Sequence, residues 1–244
     1  MIKFSKALNP PPFKGKINPL PITLLEPESQ AAESFKLLGV KILSINSDLR
    51  SRVVMVTSPQ PFDGKSTVAA NLAVAIAQEL NRYALLLDCD LRRPCLHQVF
   101  GLQASKGIHE YLADGSSVTP YLLKTPVKNL TLFPGGSPSS NPSKLLSSDK
   151  MRLLIEELRN HYQDRYIIAD LPPVGFSVDT SLLSNIVDSV LLVVRSGKTP
   201  KKMIREAVAR IGRDRLLGVV FNEDGEAHKS YHDYYRYYQK GRRE

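Results

Sequence analysis

Val53-Val54-Met55-Val56-Thr57-Ser58-Pro59-Gln60-Pro61-Phe62-Asp63-Gly64-Lys65-Ser66-Thr67 runs three kinds of sequence together without a break. Val53–Thr57 is short, apolar and largely β-branched, the pattern of a strand buried on both faces. Residues 58–63 crowd two prolines and an aspartate into a turn. From Val68 to Leu80 the apolar spacing becomes helical. A buried strand feeding a tight loop and then a helix N-terminus gathers backbone N–H groups at one point, and such a point attracts anions.

Outward from this segment the same alternation continues. Strand-sized apolar runs are predicted at Ala84–Asp88, Leu130–Phe133, Tyr166–Asp170, Val190–Arg195 and Leu216–Asn222. Helical patterns are predicted at Glu28–Asn46, with Phe35, Leu38, Ile42 and Ile45 on one face, and at Lys150–His161 and Lys201–Arg210. Strands alternating with helices imply right-handed crossovers, so the fold expected is α/β, a mainly parallel sheet of the P-loop NTPase kind with helices on both faces. Pro134–Pro142 is a Gly/Ser/Pro loop longer than usual connections, which marks it as a functional candidate.

The chemistry follows from residue types at strand ends. Backbone N–H groups around Asp63, Gly64, Lys65, Ser66 and Thr67 are expected to hold phosphate oxygens, with Lys65 neutralising charge and the Ser66 hydroxyl ligating Mg2+. ATP and Mg2+ are therefore the expected ligands. The bland alternative is a helix N-cap whose Ser and Thr need no ligand. Pro59 and Phe62 depart from the usual pattern, where glycine is common. Two further segments favour the nucleotide reading. Leu85-Leu86-Leu87-Asp88-Cys89-Asp90-Leu91-Arg92 puts Asp88 and Asp90 beyond one strand, and Tyr166-Ile167-Ile168-Ala169-Asp170 puts Asp170 at the end of another. Ligands of open parallel sheets bind at such strand ends, and a carboxylate there suits Mg2+.

Charge is unevenly placed. The 244 residues carry a formal +9. Residues 1–25 hold four lysines and no acid, and residues 228–244 hold five basic residues against two acids, so the ends account for +7 and the middle for +2. That argues against a nucleic-acid face and for basic arms meeting an acidic partner or lipid headgroups. Prolines at 10–12, 19, 21 and 27 mark residues 1–27 as an extended arm, 28–227 as the folded domain and 228–244 as a tail. No apolar run approaches the length of a membrane span, and the N-terminus lacks a signal-peptide core, so the expected location is cytoplasmic. Cys89 and Cys95, six apart, fit neither a disulfide scaffold nor a zinc pair.

With these motifs in place, the chain from about Glu28 onward resembles the free-standing cytoplasmic kinase domains of bacterial tyrosine kinases in capsule and exopolysaccharide biosynthesis. Leu87-Asp88-Cys89-Asp90-Leu91-Arg92 carries most of the likeness, supported by Leu96-His97-Gln98-Val99-Phe100, Pro134-Gly135-Gly136, Asn141–Leu146 and Asp170-Leu171-Pro172-Pro173. The resemblance implies an ATP-dependent autokinase whose catalytic residues are Lys65, Asp88, Asp90 and Asp170. Asp88 would be the favoured base, Ser66, Asp90 and Asp170 would hold the metal, and Arg92 would join the nucleotide contacts. It makes Tyr231, Tyr234, Tyr235, Tyr237 and Tyr238, half of the ten tyrosines, phosphoacceptors in trans. It also implies self-association, and a membrane-anchored polysaccharide co-polymerase as activator, recruiting the chain to the inner face of the plasma membrane.

Some positions depart from that family. The helix expected to carry Glu-x-x-Arg-x-x-Arg has Glu33, Lys36 and Gly39, which removes the forked pairing available to arginine. Leu171 replaces a common threonine. Two other readings stand beside the kinase. One is a MinD/ParA-type ATPase switch, disfavoured by Gln60 where a signature lysine belongs. The other is a nucleotide-binding regulator of a polysaccharide polymerase or export complex that transfers nothing.

Overall fold

The structure, a computed structural model, describes residues 21–45, 53–78, 82–115, 117–162 and 164–223. The first twenty residues of the expected arm and the five tail tyrosines lie outside the described residues. Seven strands form one sheet: β1 (Val53–Thr57), β2 (Tyr83–Asp88), β3 (Leu123–Lys124), β4 (Leu130–Phe133), β5 (Arg165–Asp170), β6 (Ser189–Arg195) and β7 (Leu216–Asn222), in the order β3-β4-β2-β5-β1-β6-β7. Every neighbouring pair is parallel except β3 with β4. The α/β expectation holds. The short antiparallel β3 at the edge is an addition that two residues of sequence could not announce.

The helices are α1 (Ile22–Leu25), α2 (Gln30–Ile45), α3 (Lys65–Gln78), α4 (Leu96–Val99), α5 (Ile108–Asp114), α6 (Pro142–Leu146), α7 (Asp149–His161), α8 (Val178–Leu183) and α9 (Lys201–Ile211). Strand residues alternate between two cores, as the pleat requires. Val53, Met55, Leu85, Leu87, Ile167 and Val190 face α5, α7 and α9, whereas Val54, Val56, Leu86, Ile168, Leu191 and Val193 face α2 and α3. Each strand is thus apolar without a break because both faces are covered.

α3 is buried at every residue from Val68 to Ala77. One side lies on the sheet and another under α2, which leaves Asn71 as a polar side chain inside an apolar layer. α1 resolves this: the Thr23 N–H and hydroxyl both donate to Asn71 Oδ1 at 3.0 and 3.1 Å, and Asn71 Nδ2 donates to Thr67 O at 2.9 Å. A buried amide left unpaired costs about 1–3 kcal/mol, so this contact anchors the chain's entry into the domain. Thr23, within the residues read as the arm, is thus buried against α3.

Strand order also positions the motifs. Asp170 at the end of β5 sits in register with Val56 of β1 on one side and Asp88 of β2 on the other. The loop after β1 therefore opens beside Asp170, with Asp88 one strand further on. Within that loop Phe62 has φ 68° and Gly64 φ 92°. Glycine is required at 64 twice over, since a Cβ there would also collide with Asn222 Nδ2. At 62 a bulky side chain occupies the left-handed region at a cost of about 1–2 kcal/mol. Phe62→Gly is expected to raise the ligand-free Tm by a few degrees, because that relief exceeds the roughly 0.5–1 kcal/mol of added backbone entropy, and each kcal/mol moves Tm by roughly 2–4 °C in a domain of this size. A fall in Tm on thermal unfolding would mean that contacts of the ring outweigh its strain.

Candidate active site

Lys65 is the first residue of α3, and its side chain turns back over the ends of β5 and β2. Its Nζ lies 3.0 Å from Asp90 Oδ2 and 3.6 Å from Asp170 Oδ1, and donates to Ser66 Oγ at 3.1 Å. One ammonium therefore occupies the point where Ser66, Asp90 and Asp170, the three expected metal ligands, converge. Asp88 lies behind it, fully buried. Its Oδ2 accepts from the Cys95 N–H at 2.8 Å and the Leu96 N–H at 2.9 Å, the start of α4, while Oδ1 is buried without a hydrogen-bond partner.

Burial sets the electrostatics. It pushes the Asp88 carboxyl up to about 7, with the Asp170 charge adding to the effect and the Leu96 N–H opposing it. Asp170 rises to about 6, again through burial, with Lys65 pulling the other way. Burial disfavours the charge on Lys65, but Asp170 and Asp90 together hold its ammonium above the ordinary range. Both thiols are free, and burial pushes each up, Cys95 to about 12, so neither is a nucleophile at neutral pH.

The donors fit a hard divalent cation. Both oxygens of Asp170 and one of Asp88 are buried without hydrogen-bond partners, and a hydroxyl and a third carboxylate lie around the same ammonium. Carboxylate and hydroxyl oxygens are what Mg2+ takes. Among the described residues no three acidic, histidine or cysteine side chains are already closed into a cation cage, and Lys65 stands between the acids instead.

The side chains of the remaining expected contact residues stand apart from the Lys65 ion pairs. Thr67 is exposed on the first turn of α3. Asp63 turns its carboxylate inward, where Oδ1 accepts from Gln60 Nε2 at 3.1 Å and Thr199 Oγ1 at 2.8 Å, and its backbone oxygen accepts from Asn222 Nδ2 at 3.0 Å. It braces the loop from within. Arg92 is exposed and makes no ion pair among the described residues, so the structure does not bring it to the Lys65 cluster.

Two supports escape sequence reasoning. The first is the Asp63–Thr199–Asn222 brace just described, whose members follow β1 and β6 and end β7. The second is Glu110, whose carboxylate accepts from the Gly107 N–H at 2.7 Å and the Ser137 N–H at 3.1 Å, clamping the 134–142 loop onto α5. That loop in turn receives the residues after β2: Ser139 N–H donates to Leu91 O at 2.8 Å, and a Cβ at Gly135 would stand 3.0 Å from Asp88 O. The loop suspected of function thus backs the two-aspartate segment. Glu three residues after Gly107 is a capping-box spacing and could have flagged the clamp; nothing local flags Asn222.

A mostly parallel sheet with a phosphate-type loop after β1 and acids at the ends of β5, its neighbour, and β2, the next strand beyond, defines the class as P-loop nucleotide-binding. Residues 54–243 match the family described as the CobQ/CobB/MinD/ParA nucleotide binding domain. Tyrosine-protein kinase YwqD of Bacillus subtilis (strain 168) is 34% identical over 216 residues, spanning 88% of this chain and 90% of that protein. Putative tyrosine-protein kinase CapB of Staphylococcus aureus is 29% identical over 91% of this chain and 97% of its own length. The kinase domain of the Escherichia coli tyrosine kinase ETK superposes with a TM-score of 0.77 at 28% identity, over 82% of this chain and 78% of that one. The chain belongs to the bacterial tyrosine-kinase branch of the CobQ/CobB/MinD/ParA nucleotide-binding family.

Proposed function

We propose that the chain is an ATP-dependent protein-tyrosine autokinase that phosphorylates the tyrosine cluster of a second copy and thereby regulates polysaccharide synthesis or export. The observation that supports it most is the convergence of Lys65 on Asp90, Asp170 and Ser66 with Asp88 immediately behind.

Lys65 and the backbone N–H groups at the start of α3 hold the β- and γ-phosphates of ATP, the lysine swinging from the acids to the phosphates as it does so. Mg2+, when bound to Ser66, Asp90 and Asp170, supplies charge neutralisation on the transferred group. A tyrosine hydroxyl from another chain loses its proton to Asp88, a carboxylate held near neutrality and so matched to a base operating at cellular pH. Its oxygen forms the new bond to the γ-phosphorus while the bond from that phosphorus to the β–γ bridging oxygen breaks, leaving ADP.

Transfer in trans needs self-association. On α2 Glu33 and Lys36 pair with each other at 3.8 Å and Gly39 is buried, so the contact between copies cannot rest on forked arginines there. A membrane-anchored co-polymerase is the proposed activator, and it would bring the chain to the membrane surface; among the described residues no helix is long and apolar enough to cross one.

Mass spectrometry of the chain from its native cell is expected to find phosphate on residues 231–238. Changing all five tail tyrosines to Phe should remove most phosphate incorporation while ATP binding, measured by calorimetry, stays within about two-fold, since in this proposal they accept the phosphoryl group and do not hold the nucleotide. Intact ATP binding with no phosphotyrosine in the wild type, even beside a co-expressed co-polymerase, would move the reading to a nucleotide-dependent regulator.

A further inference from the structure

Phe62 and Phe176 expose 63% and 65% of their surfaces. Both line one open groove of about 430 Å3, together with Pro61, Asp63, Arg195 and Lys198. The groove lies on the β6 flank of the phosphate loop, whereas Asp88 and Asp170 lie on the β2 and β5 flank, because β1 stands between β5 and β6. Its walls are held from three directions. Arg210 Nη1 donates to Val174 O and Gly175 O, both at 3.0 Å, and the Val174 N–H donates to Ser58 O at 2.9 Å, which fixes the segment bearing Phe176 against the phosphate loop. The Arg195 N–H donates to Thr199 Oγ1 at 2.9 Å, and Thr199 donates to Asp63. Two exposed rings on a hydrogen-bonded frame are a surface prepared for an aromatic ligand.

The chain itself leads to this surface. β7 ends at Asn222, and Glu223 Oε2 accepts from Arg195 Nε at 2.7 Å and Nη2 at 2.6 Å. Residue 224 therefore follows a glutamate paired with Arg195, which lines the groove. Tyr231 lies eight residues beyond Glu223, a reach of at most about 26–29 Å. The segment holds five tyrosines, and its five basic residues stand against four acids, close to neutral. In the groove Arg195 is paired with Glu223, the Asp63 carboxylate is turned inward, and Lys198 is exposed. Exposed rings with cations beside them suit a neutral phenol stacked on phenylalanine with cations at its edge.

We propose that this groove is the docking site, within one chain, of the unphosphorylated tyrosine-rich segment 224–244. Docking keeps the tyrosines on the far flank of the phosphate loop from their own chain's Asp88.

The test uses a fluorescein-labelled peptide of residues 224–244 and full chains without ATP, so that a chain unable to transfer phosphate still reports docking. Anisotropy should show the peptide binding a full chain whose five tail tyrosines are Ser. Binding should weaken about five-fold or more when that chain also carries Phe176→Ala or Lys198→Ala, both changes at exposed positions. The wild-type chain, whose own segment competes at an effective concentration near millimolar, should bind the peptide several-fold more weakly, by a ratio that does not change on dilution. The proposal is overturned if neither substitution changes the affinity, or if the wild-type deficit vanishes on dilution, which would make a second copy the occupant.

Discussion

Lys65→Met is expected to lower ATP affinity by roughly 30-fold or more and to abolish phosphate transfer, with a second effect that a purely phosphate-binding lysine would not show. The loss of affinity follows from removing one partner of a desolvated charge pair, which costs about 2–5 kcal/mol. The second effect comes from the resting geometry. The ammonium lies between Asp90 and Asp170 and against Ser66, where it keeps the acids compensated. Methionine leaves Asp170, fully buried, with no positive partner, and an uncompensated buried charge destabilises a fold by about 3–5 kcal/mol. Without nucleotide, millimolar Mg2+ should therefore leave the wild-type Tm unchanged but raise that of Lys65→Met by several degrees, because the acids are then free to take the ion. Thermal unfolding with and without Mg2+ decides this. Equal responses of the two chains would show that Lys65 does not exclude the metal, and that its contacts with the acids are incidental.

On the proposed mechanism, the same displacement would make ATP and Mg2+ bind together in the wild type. Moving Lys65 to the phosphates vacates the acids, and the ion that replaces it restores their compensation. Each ligand thus removes the obstacle to the other, which is positive coupling between two sites sharing one side chain.

What could be read from the sequence was whatever announces itself within a few residues. The strand before the loop, the helix after it and the acids at the ends of β2 and β5 all carry local signals, and parallel topology brings such ends together whatever the intervening loops do. The convergence of Lys65, Asp90 and Asp170 follows from that alone. Contacts made by single polar side chains across long separations gave no warning. Thr23 meets Asn71 over 48 residues, Thr199 meets Asp63 over 136, and Asn222 meets Asp63 over 159. None of these has a periodicity, and each residue type is as common in an idle loop. Arg92 belongs to a recognisable motif, and its side chain is exposed after the turn that follows Asp90.

Asp88→Asn is expected to make the ligand-free chain more stable at pH 7.5 while abolishing phosphate transfer. The sign follows from the two states of the carboxyl. Its ordinary value of 3.8 describes the unfolded chain, and burial raises it to about 7 in the fold. Between those values the folded chain holds a proton that the unfolded chain has released, so stability falls as pH rises, fully present below 3.8 and lost by the time pH has passed 7. Asp170, raised to about 6, adds a slope of the same sign that ends earlier. Asparagine keeps an oxygen for the Cys95 and Leu96 N–H groups and never ionises. It should therefore remove most of the decline between pH 5 and 8. At the alkaline end it should stabilise by about 2–4 kcal/mol, since a proton held across each pH unit between the two values is worth about 1.4 kcal/mol. Urea unfolding of both chains at pH 5 and 7.5 measures the difference directly. If the substituted chain is the less stable at pH 7.5, Asp88 is ionised and compensated in the resting fold and its fitness as a base is lost with it. If it is the more stable but inactive, an acid kept at the expense of stability marks a residue retained for chemistry.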